Sequence, residues 1–168
     1  FHNYMHRHCD LIEIAIRSNM SNSFCGGGLQ TNNSSLLKTP VFHAQALYAN
    51  HQGVYPLRMD PPAGVGEKGL DLSATLSADK KWLALFVVND QEQVVHQNID
   101  VSDVGEPVSP ASVWTLGDVR QAGLRDVANS FAEPERVSSW QSKLEVKDSR
   151  FSYGFAPLTL TLIKLQLR

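Results

Sequence analysis

The stretch LDLSATL at residues 70–76, followed after five residues by WLALFVVN at residues 82–89, decides the fold class. In the first stretch, leucine or alanine at every second position alternates with polar residues, which is typical of a β-strand with one buried face and one wet face. The second stretch is apolar on both faces and predicts a central strand. Together the two stretches predict a β-sheet.

Four later stretches have the same short apolar pattern. They are residues 93–101, 111–116, 137–146 and 158–167. In the last of them the apolar phase slips between Leu162 and Leu165, which indicates a β-bulge or burial on both faces. Short strands separated by turn residues, with little helix among them, predict an antiparallel β-sandwich.

The segment before residue 53 has the longer period of α-helices. A first helix is predicted over residues 2–17. Its apolar face is made of Leu11, Ile12, Ile14, Ala15 and Ile16. The chain is therefore expected to be mainly β, with an α-helical segment in front of the sandwich.

A second helix is predicted after Thr39, a good N-cap residue, and Pro40, which suits the first helical position. Its expected apolar stripe consists of Phe42, Ala46 and Ala49, with Leu47 alongside. Gly53 ends this helix, and RMDPPAGVGEKG at residues 58–69 is rich in proline and glycine and predicts a linker.

Charge and length exclude some classes of partner. The chain has 168 residues, and its 15 basic residues are outnumbered by 17 acidic ones, for a net charge of −2. Nucleic acid is not expected as a partner, because no basic run exceeds Lys80 and Lys81. No apolar run is long enough for a membrane span and no leader is recognised, so we expect a cytoplasmic protein without membrane partners.

The sequence FCGGGLQ at residues 24–30 raises the question of a phosphate-binding loop. Such a loop needs a lysine after the glycines and a helix directly behind them, and neither follows here. We interpret the glycines as a turn that takes positive φ angles. No cofactor is expected.

The histidines and cysteines near the start allow a metal site to be considered. His2 and His6 are four residues apart, with His8 and Cys9 close by, but the pair lacks the glutamate of a zinc-helix motif, and we expect no metal. Cys25 has no basic neighbour that would lower its thiol pKa, so it is a poor nucleophile.

The three tryptophans, Trp82, Trp114 and Trp140, could form a flat platform for sugar rings. In a sandwich, tryptophans more often belong to the core. A solvent-exposed row of all three would favour a carbohydrate-binding role.

Three ordered motifs carry a resemblance to a known family. They are HRHCDLIEIAIRSNMSNSF at residues 6–24, LLKTPVFHAQALYANHQG at residues 36–53 and VANSFAEPERV at residues 127–137. In this order they resemble the C-terminal part of glycoside hydrolase family 51, the α-L-arabinofuranosidases, in which a (β/α)8 barrel precedes a β-sandwich.

The resemblance implies a domain plan and one site residue. Residues 1–52 would be the C-terminal remnant of the barrel, residues 53–69 a linker and sandwich entry, and residues 70–168 the sandwich. NMSNSF at residues 19–24 would be the eighth barrel strand and would form one wall of a sugar pocket. Asn19 would stand where the family has a glutamine that hydrogen-bonds arabinose, which makes it the candidate substrate-binding residue.

The resemblance also implies what the chain lacks. A retaining glycosidase needs two carboxyl groups about 5 Å apart, and none of the glutamates lies in the family's catalytic motifs, so no catalytic residue is assigned. We expect the C-terminal portion of an arabinofuranosidase-like enzyme, inactive by itself, which acts on arabinose-containing oligosaccharide or polysaccharide through a complete barrel. The alternative is a non-catalytic module that binds carbohydrate or a partner chain through its sandwich.

Two physical expectations follow from this plan. The sandwich, beginning near Val54, would fold by itself. The first 52 residues would either fold back onto it or self-associate, and we expect a homo-oligomer or association with the missing barrel.

Overall fold

A computed structural model describes residues 1–16, 19–23, 27–59 and 69–168. Its two helices are α1 (His2–Arg7) and α2 (Pro40–His51). Its strands are β1 (Leu29–Thr31), β2 (Leu36–Lys38), β3 (Tyr55–Leu57), β4 (Asp71–Leu76), β5 (Trp82–Asn89), β6 (Val95–Asp100), β7 (Pro107–Asp118), β8 (Val137–Leu144), β9 (Arg150–Phe155) and β10 (Thr159–Leu167). Antiparallel strands dominate the described chain, as the sequence predicts.

A six-stranded antiparallel sheet with the order β3-β4-β5-β10-β7-β8 forms the centre of the fold. The strand predicted to be central, β5, lies between β4 and β10. The register of β10 against β7 shifts between Lys164 and Gln166, which confirms the predicted bulge. Strands β3 and β8 are the two edges of this sheet.

The second layer of the sandwich is a two-stranded sheet made of β6 and β9. Phe155 of β9 is 1% exposed and packs in one apolar cluster with Leu85, Val113 and Ile163 of the large sheet. Strand β9 was not predicted, although Phe151, Tyr153 and Phe155 alternate with other residues in the manner of a strand.

The opposite face of the large sheet is covered by helix α2. The ring of Tyr48 stacks on Phe86 of β5, with 4.4 Å between the ring centroids, and Leu47 is buried in the same cluster. Since both faces of the sheet are covered, Ser73 and Thr75 of β4 are buried as well. The expectation of one wet face on this strand is therefore wrong.

The expected apolar stripe of α2 is not the face that packs on the sheet. The helix begins at Pro40 as predicted, but it buries Leu47 and Tyr48, while Phe42 and Ala46 are half-buried and Ala49 is exposed. The helix thus has two apolar faces, and the sheet covers one of them.

Helix α1 is shorter than predicted, because it ends at Arg7 and not at residue 17. Leu11, Ile14 and Ile16 are 79%, 76% and 87% exposed. Isolated helices are marginal in water unless tertiary packing supports an apolar face. Nothing in the described chain packs on these three side chains, so the helical pattern is not realised there.

The remaining differences concern short segments. Residues 19–23 make a single parallel bridge, from Ser21 to Leu29, where the family resemblance implies a strand. The hairpin β1–β2 and the strand β3 were not predicted. Residue 17 of the predicted helix, residues 24–26 of the glycine-rich stretch and residues 60–68 of the predicted linker lie outside the described residues.

Candidate functional site

The candidate wall of a sugar pocket is the segment of residues 19–23, which lies against β1. Leu29 N–H donates to the carbonyl oxygen of Met20 at 2.9 Å, and Asn22 N–H donates to the carbonyl oxygen of Leu29 at 3.0 Å. These two bonds align the segment with the hairpin β1–β2, which we call the wall hairpin.

The side chain of Asn22 fixes this alignment. Its Nδ2 donates to Thr31 Oγ1 at 2.8 Å, and its Oδ1 accepts from Thr31 N–H at 2.7 Å. Asn22 has a φ of 49°, a left-handed conformation that asparagine tolerates better than most residues. These two hydrogen bonds were not predicted, although an asparagine between serines is a common turn signal.

Asn19, the predicted sugar contact, begins the segment. It is exposed and has a φ of 58°, also in the left-handed region. A Cβ atom on Gly27 would lie 2.8 Å from the carbonyl oxygen of Asn19. Gly27 is therefore needed for a close approach of two backbones, and it does not take the positive φ that the sequence analysis expected of these glycines.

Thr39 joins the wall hairpin to helix α2. Thr39 is the N-cap residue of α2, as predicted, but its hydroxyl makes no capping bond and donates instead to the carbonyl oxygens of Gly27 at 2.9 Å and Gly28 at 3.0 Å. The helix start and the glycine-rich turn are thus held together by one buried side chain.

Asn129, in the third resemblance motif, joins the wall hairpin to the sandwich. Its Nδ2 donates to the carbonyl oxygens of Lys38 and Val137, both at 2.9 Å, and its Oδ1 accepts from Val137 N–H at 2.6 Å. The end of β2 and the start of β8 are therefore held by the same amide, which the motif alone did not reveal.

An ion pair supports the loop that carries Asn129. Arg136 donates to both carboxylate oxygens of Asp118, at 2.7 and 3.1 Å, and both side chains are 12% exposed. The hydrogen bond from Arg136 lowers the pKa of Asp118 to about 2, with help from the backbone N–H groups of Ala122 and Arg120. This loop is consequently braced at its base.

The histidines near the start take part in packing. The ring of His2 stacks on Tyr48 at 4.5 Å, and His6 contacts Ser73 and Gln52. Across the described ranges, no group of three or more histidine, cysteine, aspartate or glutamate side chains could hold a metal ion. Cys9 is an exposed free thiol.

The three tryptophans do not form one row. Trp114 pairs with Leu162, on the sheet face that carries Phe86 and α2, whereas Trp140 pairs with Thr115 on the opposite face. The half-buried rings on the α2 side are in contact with other side chains. Lys164 Nζ lies 3.8 Å from the centroid of Trp82, and the His51 ring lies 4.4 Å from that of Trp114. These positions do not favour a three-ring sugar platform.

None of the helices in the described residues is long and apolar enough to cross a membrane.

Comparison with known families gives a match over residues 1–159 to the family described as the α-L-arabinofuranosidase C-terminal domain. No sufficiently similar sequence is found among curated proteins.

Solved structures with the same fold include three arabinofuranosidases. An arabinose-bound family 51 α-L-arabinofuranosidase has a TM-score of 0.86 at 16% identity, over 99% of this chain and 26% of its own. The α-L-arabinofuranosidase from Thermotoga maritima, in complex with arabinose, has a TM-score of 0.77 at 24% identity, over 96% of this chain and 35% of its own. The family 51 enzyme from Xanthomonas axonopodis pv. citri has a TM-score of 0.76 at 18% identity, over 98% and 33% respectively.

These likenesses identify the fold of the chain, and they also show how much of each solved enzyme it covers. The chain spans about a quarter to a third of the length of these three enzymes.

Proposed function

The chain belongs to the family of α-L-arabinofuranosidase C-terminal domains, and from this premise we propose that it is the C-terminal portion of a retaining arabinofuranosidase-like glycoside hydrolase. Its substrate would be an arabinose-containing plant polysaccharide, bound through a complete barrel. The observation that carries this proposal is the family match over residues 1–159 in a chain that spans only 26% to 35% of the solved enzymes.

The exposed apolar side chains of the N-terminal segment support the proposal. Leu11, Ile14, Ile16 and Met20 are each at least 74% exposed, and the second apolar face of α2 has Ala49 in solvent. Full burial of one leucine, isoleucine or methionine side chain contributes about 1.5–3 kcal/mol. Burial of these side chains against a barrel would stabilise the protein by several times that amount. We therefore infer that the barrel portion of the enzyme covers this segment.

On this proposal the chain divides as the resemblance implies. Residues 1–52 would close the barrel, residues 53–69 would lead out of it, and residues 70–168 would form the sandwich behind it. The wall hairpin would stand at the mouth of the barrel, where barrel enzymes place their sites. Asn19 would donate a hydrogen bond from its side-chain amide to the bound sugar.

The catalytic carboxylates would come from the rest of the enzyme. Retaining hydrolysis requires a nucleophile and an acid/base about 5–5.5 Å apart. The glutamates of the described residues are exposed, and three of them have structural partners: Glu92 pairs with Arg125, Glu133 with Arg120, and Glu145 accepts from Ser109. These contacts are those of surface ion pairs and turns and not of a buried acid.

The test compares the 168-residue chain with the protein expressed from its complete gene. The chain alone should not release the chromophore from a chromogenic α-L-arabinofuranoside, and the complete protein should. In the complete protein, Asn19→Ala should lower kcat/KM by about fivefold to 150-fold, since a sugar hydroxyl left without its partner in a buried site costs about 1–3 kcal/mol. Asn50→Ala, on an exposed position of α2, is the matched control.

Two results would overturn the proposal. The first is turnover by the chain alone that disappears when one of its own glutamates is changed. The second is a complete protein with no arabinofuranosidase activity. An unchanged kcat/KM in Asn19→Ala would remove the role of that residue and leave the rest intact.

A further inference from the structure

The side-chain amide of Asn129 is fully used by three hydrogen bonds. Its oxygen accepts from the backbone N–H of Val137 at 2.6 Å, and its nitrogen donates to the carbonyl oxygens of Val137 and Lys38, both at 2.9 Å. A backbone N–H can only donate and a carbonyl can only accept, so these partners fix which end of the amide is oxygen. Each hydrogen of the amide nitrogen has an acceptor, and one of the two acceptors belongs to the wall hairpin.

The anchor of this amide is a well-packed part of the sandwich. Val137 is 8% exposed, begins β8 and packs in the apolar cluster that contains Tyr48 of α2. Its N–H and its carbonyl both bind the amide, so Asn129 is attached to the edge of the sheet as a paired strand residue would be. The turn after Asn129 is closed by two backbone bonds between Ser130 and Glu133, at 3.1 and 3.2 Å. The position of the amide is therefore set by the sandwich.

The other end of this contact leads to Asn19 through the backbone of the wall hairpin. Lys38 pairs with Leu29 across the hairpin. The N–H of Leu29 donates to the carbonyl oxygen of Met20 at 2.9 Å, and Met20 follows Asn19 directly. Paired strands keep a spacing of about 4.7–4.9 Å. A displacement of Lys38 is therefore passed on to the segment that carries Asn19.

A second route to Asn19 runs through Thr39. The hydroxyl of Thr39 donates to the carbonyl oxygen of Gly27 at 2.9 Å. Gly27 comes so close to Asn19 that an added Cβ atom would lie 2.8 Å from the carbonyl oxygen of Asn19. Lys38 and Thr39 are consecutive residues, so the hydrogen bond from Asn129 acts at the point where both routes begin.

We propose that Asn129 is a positioning residue for the sugar pocket, which belongs to the sandwich and holds Asn19 where it can contact the bound arabinose. This inference rests on the proposed function and deepens it, because it gives the sandwich a part in substrate binding. On this proposal Asn129 does not touch the sugar. Its effect passes entirely through the wall hairpin to Asn19, so loss of Asn129 weakens catalysis only while the side chain of Asn19 is present.

The first measurement tests the link itself, by hydrogen exchange in the 168-residue chain. The backbone N–H groups of Leu29 and Asn22 join the wall segment to β1. Their protection, relative to that of the β10 amides, should fall several-fold in Asn129→Ala. The matched control is Ser109→Ala, which removes a hydrogen bond from the N–H of Val146 at 3.1 Å, near the opposite end of β8. This control should leave the relative protection unchanged.

The second measurement is a double-mutant cycle in the complete protein, with a chromogenic α-L-arabinofuranoside as substrate. Asn129→Ala should lower kcat/KM several-fold, and by no more than Asn19→Ala does. In the variant with both changes the loss should equal that of Asn19→Ala alone, because the contact that Asn129 positions is already missing. Ser109→Ala should keep the native kcat/KM.

The outcomes separate this inference from the proposed function. A complete protein without activity overturns the proposed function, and this inference with it. In an active complete protein, an unchanged kcat/KM in Asn129→Ala, or losses that multiply in the double variant, would overturn the positioning role alone. So would protection of the wall hairpin that Asn129→Ala does not change.

A second variant keeps the test decisive if Asn129→Ala does not fold. In Asn129→Asp the carboxylate still accepts from the N–H of Val137, but it cannot donate to the carbonyl oxygen of Lys38. The attachment to β8 is then kept and the bond to the wall hairpin is lost. The same losses of protection and of kcat/KM are expected, and their absence would overturn the inference.

Discussion

Removal of residues 1–53 is the perturbation that tests most directly how the two parts of the chain depend on each other. Helices α1 and α2 cover one face of the large sheet, where Phe86 and Leu162 are 0% exposed and Leu116 and Leu160 are 6% and 8% exposed. Truncation would open this face to water. We therefore expect residues 54–168 alone not to form a stable monomer, in contrast to the expectation from sequence.

The magnitude can be worked from those four side chains. Each contributes about 1.5–3 kcal/mol when fully buried, so the open face costs about 6–12 kcal/mol. The total stability of a domain of this size is about 5–15 kcal/mol. Loss of the cover is thus comparable with the whole stability of the fold.

Thermal unfolding by circular dichroism and light scattering at several concentrations would measure the effect. The truncated chain should aggregate or unfold without a cooperative transition. Addition of residues 1–53 as a separate peptide is the control, and it should restore a soluble species with a cooperative transition. A monomeric truncated chain whose melting temperature matches that of the full chain would refute this reasoning.

Three other predictions concern substitutions of one or two side chains. Asn3→Ala leaves two buried hydroxyls, those of Tyr48 and Ser73, and the carbonyl of Asp71 without their partner and should lower the free energy of unfolding in urea by about 3 kcal/mol. The control Asn50→Ala, on the exposed side of α2, should change it by less than about 0.5 kcal/mol, and equal effects of the two variants would contradict the buried network. Asp118 has a pKa of about 2, so its ion pair adds stability above its unfolded pKa of about 3.9, and this stability is lost as the pH falls toward 2. Asp118→Asn should therefore reduce the free energy of unfolding at neutral pH and flatten its fall at acid pH. An unchanged fall at acid pH would show that the pair with Arg136 adds no stability. The double substitution of exposed Ile14 and Ile16 by aspartate should shift self-association to higher protein concentration in light scattering, with little change in melting temperature. A native chain that is monomeric at all concentrations would argue against association through this segment.

The strands were predictable because their signal is local. In β5 a long apolar run, and in β10 leucines that alternate with threonine and other polar residues, leave few alternatives to a strand, and even the bulge near Lys164 shows in the phase of the pattern. Strand β9 was not predicted, because its six residues include a glycine and its alternation is carried by three aromatic residues only.

The helices were less predictable because tertiary packing decides whether, and on which side, their apolar faces are buried. The pattern of residues 2–17 is helical, but a helix needs something to pack on, and α1 stops at Arg7, before Leu11, Ile14 and Ile16, which are all exposed. In α2 two apolar faces compete, and the sequence does not rank Leu47 and Tyr48 above Phe42 and Ala46. Which face packs on the sheet is a property of the tertiary fold.

For the candidate site, the sequence indicated a segment around Asn19 and none of its contacts. The contacts of Asn22 and Asn129 depend on backbone groups that are brought near by folding. Polar side chains that bind backbone atoms leave no periodic trace in sequence.

The contact between Asn129 and the wall hairpin has an evolutionary consequence. The amide of Asn129 binds the carbonyl oxygen of residue 38, not its side chain, and Lys38 is exposed. Since every amino acid offers that same carbonyl, mutations at position 38 can accumulate without loss of the contact. Position 129 has no such freedom, because only a short amide both donates and accepts at that reach. Among homologues, substitution rates at the two ends of this one hydrogen bond should therefore be very unequal.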